Sequence, residues 1–219
     1  MVDFAAMQAE LLRAIYAWDL LRFALWRKRF GARLEVGAAV SPNLRFTDLR
    51  VESGARVVVG PGYATERRCG NHIWVQSGGA LALGPRVWLR TECGPNYVTV
   101  AEGARIELGA RCLVNGAMLH ANVGIRMGDD SMIGFGSRVL DSDFHHLDSH
   151  TPERSSPVTI GERVWIASDV TVLQGVTIGD DVVIGARSLV TRDVPSGVLA
   201  LGHPAVPVRS IGPRARLPE

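Results

Sequence analysis

Residues 160–195 read IGERVW IASDVT VLQGVT IGDDVV IGARSL VTRDVP, six unbroken units of six residues. The first positions are Ile160, Ile166, Val172, Ile178, Ile184 and Val190. The fifth positions are Val164, Val170, Val176, Val182, Ser188 and Val194, and the second position is usually small. A period of six suits neither the 3.6-residue turn of an α-helix nor the two-residue alternation of an ordinary strand. It suits a coil with three flat sides, each a short strand, with the aliphatic first residue pointing inward and the small second residue easing the corner. Such coils stack as parallel strands about 4.8 Å apart, and each shares its core with its neighbours, so the solenoid is stable only as a stack.

Working outward, the same unit recurs with slips of phase as LGPRVW at 83–88, LGARCL at 108–113, VNGAML at 114–119, MGDDSM at 127–132 and IGFGSR at 133–138. Residues 34–60 are looser. Roughly 18 residues per coil over residues 31–200 predicts on the order of eight coils, a stack about 40 Å tall. Two stretches break the pattern. Residues 61–73, PGYATERRCGNHI, read as a loop or irregular coil. Residues 141–157, DSDFHHLDSHTPERSSP, carry three of the six histidines and read as a loop insertion. Insertions in solenoids project from one face, often the binding face.

Residues 1–30 differ from all of this. Phe4, Met7, Leu11, Leu12, Ile15, Trp18 and Leu21 recur at steps of three and four, with Asp3 as a candidate cap and Gly31 as a stop. The spacing predicts an amphipathic helix that packs on the body or on a neighbouring subunit. Its tail, FALWRKRF at 23–30, mixes aromatic and basic residues and also suits peripheral contact with a membrane surface. Residues 201–219 complete the chain as a tail.

The balance of 24 Lys and Arg against 22 Asp and Glu offers no basic footprint for nucleic acid. Cys69, Cys93 and Cys112 are too few and too scattered for a disulfide framework or a zinc ribbon. The opening MVDFAAMQAE does not read as a secretory signal. The expected location is cytoplasmic.

The hexads give the chain its resemblance to the left-handed parallel β-helix acyltransferases: a mainly β hexapeptide-repeat solenoid preceded by one helix. Within residues 108–209 it resembles the maltose, galactoside and nodulation-type O-acetyltransferases and acetyltransferases of bacterial surface polysaccharides. LVNG at 113–116, DFHHLD at 143–148, residues 164–195 and GHPAVPVR at 202–209 carry that likeness. It implies acetyl transfer from acetyl-CoA to a hydroxyl of a sugar or glycan-type acceptor, with no metal required, in a homotrimer whose active sites lie between subunits.

The resemblance makes His145 the general base, since HHLD stands where the family has His-Pro-Leu-Asp. Imidazole, with an ordinary pKa near 6.5, suits proton removal from an alcohol at neutral pH. His146 replaces the proline and is the second candidate. Asp141, Asp143 and Asp148 are close enough in sequence to orient the base. Asn115 and, less directly, His120 (with Asn122 nearby) match positions that contact the acceptor. Ser168 and Ala186 would offer backbone groups to the pantetheine arm. Thr191, Arg192 and Arg209 would lie near the adenosine phosphates, where Arg supplies paired donors, and the tail at 201–219 would lie near the coenzyme. No Gly-x-Ser-x-Gly elbow is present, so direct transfer in a ternary complex is expected. The sequence leaves open N-acetylation of an amino-sugar, an antibiotic acceptor and a non-catalytic glycan-binding scaffold. It also leaves open a γ-carbonic-anhydrase-like site using His120, His145 and His150.

Overall fold

The computed structural model describes residues 4–67 and 70–217. The proposed cap Asp3, the thiol of Cys69 and the side chains of Phe4 and Met7 lie outside what is described. One helix, Phe4–Lys28, opens the chain. Gly31, in the left-handed region at φ 56°, turns the backbone away. Among the described side chains the helix docks by its C-terminal half: Phe23 is buried, Trp26 and the following Phe30 pack against the core, and Asp19 accepts from Arg45 and Arg67 at 2.6 Å each. Leu11, Leu12, Ile15, Trp18, Leu21 and Leu25 remain exposed. No described helix is long and apolar enough to cross a membrane.

The rest winds through three sheets in a fixed order. The first holds Leu34–Val36, Arg56–Val59, Ala80–Leu83, Arg105–Leu108, Gly124–Met127, Val158–Ile160 and Thr177–Ile178. The second holds Ala64–Thr65, Trp88–Arg90, Leu113–Asn115, Met132–Ile133, Trp165–Ile166, Val183–Ile184 and Val198–Gly202, closed by the antiparallel Ala205–Ser210. The third holds Asp48–Val51, His72–Val75, Tyr97–Val100, Met118–Ala121, Arg138–Leu140, Thr171–Val172 and Leu189–Val190. Every other pairing is parallel, so the chain is a three-sided parallel β-helix, as the hexads predict.

Each hexad position has a physical task. First and fifth positions point inward: Ile160, Val164, Ile166, Val170, Ile178, Val182 and Ile184 are all at most 1% exposed. The fourth position turns the corner in the left-handed region, at φ 54° for Arg163, 58° for Asp169, 57° for Asp181 and 60° for Arg187. The second position faces the next coil at close range. A Cβ on Gly161 would meet Asp180 Oδ1 at 2.3 Å and Asp180 N at 2.8 Å, and one on Gly134 would meet the Ala167 carbonyl carbon at 2.8 Å. Polar fifth positions are satisfied between coils. Ser131 Oγ donates to Gly161 O at 2.8 Å and accepts from Val164 N at 2.9 Å, and Ser137 Oγ does the same with Ala167 O and Val170 N. Ser188, the exception in the 160–195 run, accepts from Gly202 N at 3.1 Å.

Two expectations need correction. Coils are not uniformly 18 residues long. Thr159 pairs with Thr177, a step of 18, but Val57 pairs with Leu81, a step of 24, and Leu81 with Ile106, a step of 25. The upstream corners hold longer turns than the hexads do. Nor are residues 61–73 outside the solenoid: Ala64–Thr65 pairs with Trp88–Leu89, and His72 begins the next strand. Tyr63 and Thr65 fill the interior there.

Replacing Ile166 by Ala should cost about 2–5 kcal/mol through the cavity it leaves. Replacing Gly161 by Ala should cost about 1–3 kcal/mol by overpacking the corner. Urea unfolding of each variant against the parent checks both.

Candidate active site

The three corners of the prism differ in how their backbone N–H groups are used. Where the first sheet passes into the second, side chains from the next coil accept them. Asp129 Oδ1 accepts from Ala110 N at 2.8 Å, Asp180 Oδ1 from Glu162 N at 2.7 Å and Ser196 Oγ from Asp180 N at 3.0 Å. The same corner is clamped by Arg111 on Asp130 and Arg163 on Asp181, at 2.6 and 2.8 Å. The chain's end runs along it as well: Arg214 N donates to Asp181 Oδ1 and Leu217 N to Asp130 Oδ1. At the corner between the second and third sheets, Ser168 N and Ala186 N donate to no partner among the described residues.

The third corner, where the third sheet returns to the first, carries the 141–157 insertion. Asp141 is fully buried and accepts from Asn122 N, Val123 N and Gly124 N at 2.7, 2.8 and 2.6 Å. It anchors the insertion to the coil above and is therefore a structural residue. Ser142 bridges to Ser155, and Asp143 N donates to Arg154 O at 3.0 Å, so the base of the insertion is closed. Asp148 Oδ1 ties the tip by accepting from His150 N and Thr151 N at 2.7 Å each. Between base and tip, Phe144 sits at φ 62°, a left-handed position that is an outlier for so bulky a residue. Its N–H donates to Ser142 Oγ at 2.9 Å, and its ring packs on His120 with centroids 4.5 Å apart. His145 follows directly and is exposed, with no hydrogen bond among the described residues. None of the three candidate aspartates forms a hydrogen bond or ion pair with it among the described residues.

The third sheet organises the candidates. Asn115, Ser168 and Ala186 precede its strands, His120 lies on its outer face, and His145, Thr191 and Arg192 follow its strands. A groove of about 350 Å³ runs along the return corner, lined by Asp143, Arg154, Ser156, Leu173, Gln174 and Thr191. It joins the insertion to Thr191. Within one chain this groove and the free N–H groups of Ser168 and Ala186 stand on different corners. Arg209 is elsewhere, in the terminal strand opposite Leu199.

Asn115 shows an unmet demand: its Oδ1 is buried without a partner, while its Nδ2 lies 3.9 Å from the exposed Cys93 Sγ. A buried unpaired acceptor costs about 1–3 kcal/mol, which a ligand donor would relieve. Cys112 is inert, its thiol pushed up to about 12 by burial. No three of the described His, Cys, Asp and Glu residues cluster as a metal site would require. Gln174, which donates to Asp143, was invisible to motif reasoning, although it holds the same third hexad position as Ser168 and Ala186. Phe144 was missed because its neighbour on the third sheet is 24 residues away.

Burial holds the His120 imidazole below its ordinary pKa, partly opposed by the Asp141 carboxylate. A base depressed on folding destabilises the fold once the unfolded chain protonates. The contribution is therefore absent above about pH 6.5 and grows as pH falls below it. His120 should titrate below 6.5 by NMR, and Phe144→Ala should move it back toward that value by removing the ring above it.

The match to known proteins follows these elements. Residues 157–192 match the family model described as bacterial transferase hexapeptide (six repeats). Galactoside O-acetyltransferase of Escherichia coli (strain K12) is 36% identical over 135 residues, covering 54% of this chain and 66% of that protein. WcaF of the same organism, named for an acetyltransferase role in colanic acid biosynthesis, is 41% identical over 85 residues, 39% of this chain and 47% of that one. The chain thus spans about half to two thirds of the length of these relatives. Among solved structures, the polySia-specific acetyltransferase NeuO shares the fold over 84% of this chain and 88% of its own, with a TM-score of 0.57 at 21% identity. The repeat, the three-sided solenoid and these matches agree: the chain is similar to hexapeptide-repeat transferases, and residues 157–192 carry their repeat.

Proposed function

We propose that this chain is an acetyl-CoA-dependent O-acetyltransferase acting on a sugar or glycan-type hydroxyl. The observation that carries the reading is the pinned insertion, which carries an exposed His145 and whose Asp143 and Arg154 line the 350 Å³ groove that reaches Thr191. The likeness to galactoside O-acetyltransferase supports the acceptor class. His145 takes the proton from the acceptor hydroxyl, and the oxygen attacks the thioester carbonyl of acetyl-CoA. The free N–H of Ser168 stabilises the oxyanion. Collapse transfers the acetyl group and expels the coenzyme thiolate, which recovers the proton from His145. Asn115 and His120 hold the acceptor. Ser168 and Ala186 pair with the pantetheine amides, and Thr191, Arg192 and Arg209 meet the adenosine phosphates.

This assignment divides the site between two corners, and a homotrimer reunites them. The outer face of the second sheet is an apolar ridge of Trp88, Leu113, Met132 and Trp165. The outer face of the first sheet is low, with Val58, Ala80 and Ala82 lining depressions of about 460 and 430 Å³. Threefold packing would seat this ridge on the depressions of the next copy. It brings Asn115, Ser168 and Ala186 of one chain to His145, Thr191 and Arg192 of the next, and leaves the third sheet facing solvent.

Thiol release from acetyl-CoA should depend on a sugar acceptor and fall at least roughly a hundredfold in His145→Ala; unchanged release would move the base to His146. Light scattering should give three chains per particle, and Trp88→Glu should yield monomers that bind acetyl-CoA weakly. A parent protein that is monomeric yet active would refute the shared site.

A further inference from the structure

The outer face of the third sheet carries a second surface, two coils above His120. Asp48, His72 and Tyr97 stand in one column across paired strands, and Arg50, Trp74 and Thr99 in the next. The columns continue without a break into Met118 and His120. The rings of His72 and Tyr97 are stacked, with centroids 4.9 Å apart and planes 7° from parallel. Trp74 is 42% and Tyr97 45% exposed. Trp74 Nε1 donates to Glu52 Oε1 at 2.9 Å, which fixes the indole while leaving its ring uncovered. These six residues line a hollow of about 220 Å³. A second hollow of about 230 Å³ shares Tyr97 and leads past Met118 and Phe135 to Gly116, the residue after Asn115. Asp48, Arg50 and Thr99 supply acceptors and donors around the aromatic surface. Asp48 remains an ionised acceptor at neutral pH, because hydrogen bonds from His72 and Arg50 hold its carboxyl below the usual range.

We propose that this face is a track for a linear glycan acceptor, with Trp74 and the His72–Tyr97 stack binding sugar units beyond the one that reacts. The proposal rests on the acetyl-transfer reading and deepens it: the acceptor is an oligosaccharide rather than a free sugar. Sugar rings offer flat C–H faces that lie on aromatic rings and equatorial hydroxyls that hydrogen-bond at the rim. That combination of an apolar platform and a few convergent polar groups is what the track presents. The strand step fixes the scale. Trp74 is two strands from His120, about 10 Å, the reach of two linked pyranose rings. A chain lying across the strands therefore rests one unit on Trp74 and Tyr97 while another stands beside His120. The proposed trimer leaves this sheet open along its length, so a long polymer has access.

The test measures binding by intact protein, read by tryptophan fluorescence, with maltohexaose and a sialic acid hexamer against glucose and sialic acid. At least one hexamer should bind more than tenfold tighter than its monomer, and Trp74→Ala should remove that advantage. Trp74→Phe, which keeps a ring and loses the donor, should retain most of it, and a folded far-ultraviolet spectrum with unchanged acetyl-CoA binding excludes a general defect. If neither hexamer gains over its monomer, or if Trp74→Ala and Tyr97→Ala leave the gain intact, the track is refuted. Retained acetyl-CoA binding in that case would leave the transferase reading standing, whereas absent acetyl-CoA binding in the parent would refute the transferase reading itself.

Discussion

The approach of one coil to the next governs everything else in this molecule. Strand pairing sets the coils one hydrogen bond apart, and at that distance several second hexad positions have no room for a side chain. Gly128, Gly134, Gly161 and Gly179 would each bring a Cβ within 3.0 Å of the neighbouring coil. Small residues there permit the corner, and the corner lets Ile and Val of the first and fifth positions meet inside. Burying one such aliphatic side chain contributes about 1.5–3 kcal/mol, and it is repeated on every side of every coil. A rigid rod with regular faces follows, and function can then be assigned to corners and faces.

The corners diverge through a few side chains. At one, aspartates and a serine from the next coil accept the exposed N–H groups and arginines clamp the turns. This corner is closed chemically, and the chain's end lies along it. At the next, Ser168 and Ala186 sit in the same turn without such an acceptor. The contrast is physical: the same backbone conformation is structural where a carboxylate reaches it and available where none does. The third corner is interrupted by the insertion, whose buried Asp141 uses both oxygens on three N–H groups of the coil above.

The six-residue run was legible because its first position is Ile or Val in every unit and its fifth is Val in all but Ser188. The register upstream was not. Steps of 24 and 25 residues do not repeat the 18-residue coil, so residues 61–73 looked like a break although Tyr63 and Thr65 are buried. The helix was legible from its apolar spacing, but how little of it the body covers was not. In the site, His145 came from a motif. The choice among Asp141, Asp143 and Asp148 could not come from sequence, because three aspartates within eight residues differ only in burial. Asp48, His72 and Tyr97 were hidden for a related reason: they become neighbours only when the long steps are known.

The insertion's geometry explains why the sequence departs from the motif without losing the arrangement. A proline after the histidine would stiffen the turn from the C-terminal side. Here His146 stands in that place, and the stiffening comes from the N-terminal side instead. Phe144 is held in the left-handed region by the Ser142 hydroxyl and by its ring on His120, while Asp148 ties the far side of the turn. A left-handed residue of this size costs about 1–3 kcal/mol. The buried Asp141 anchor and the closed base of the insertion offset it. The backbone leading into His145 is thereby constrained before any ligand arrives. The His145 imidazole is exposed and makes no hydrogen bond among the described residues.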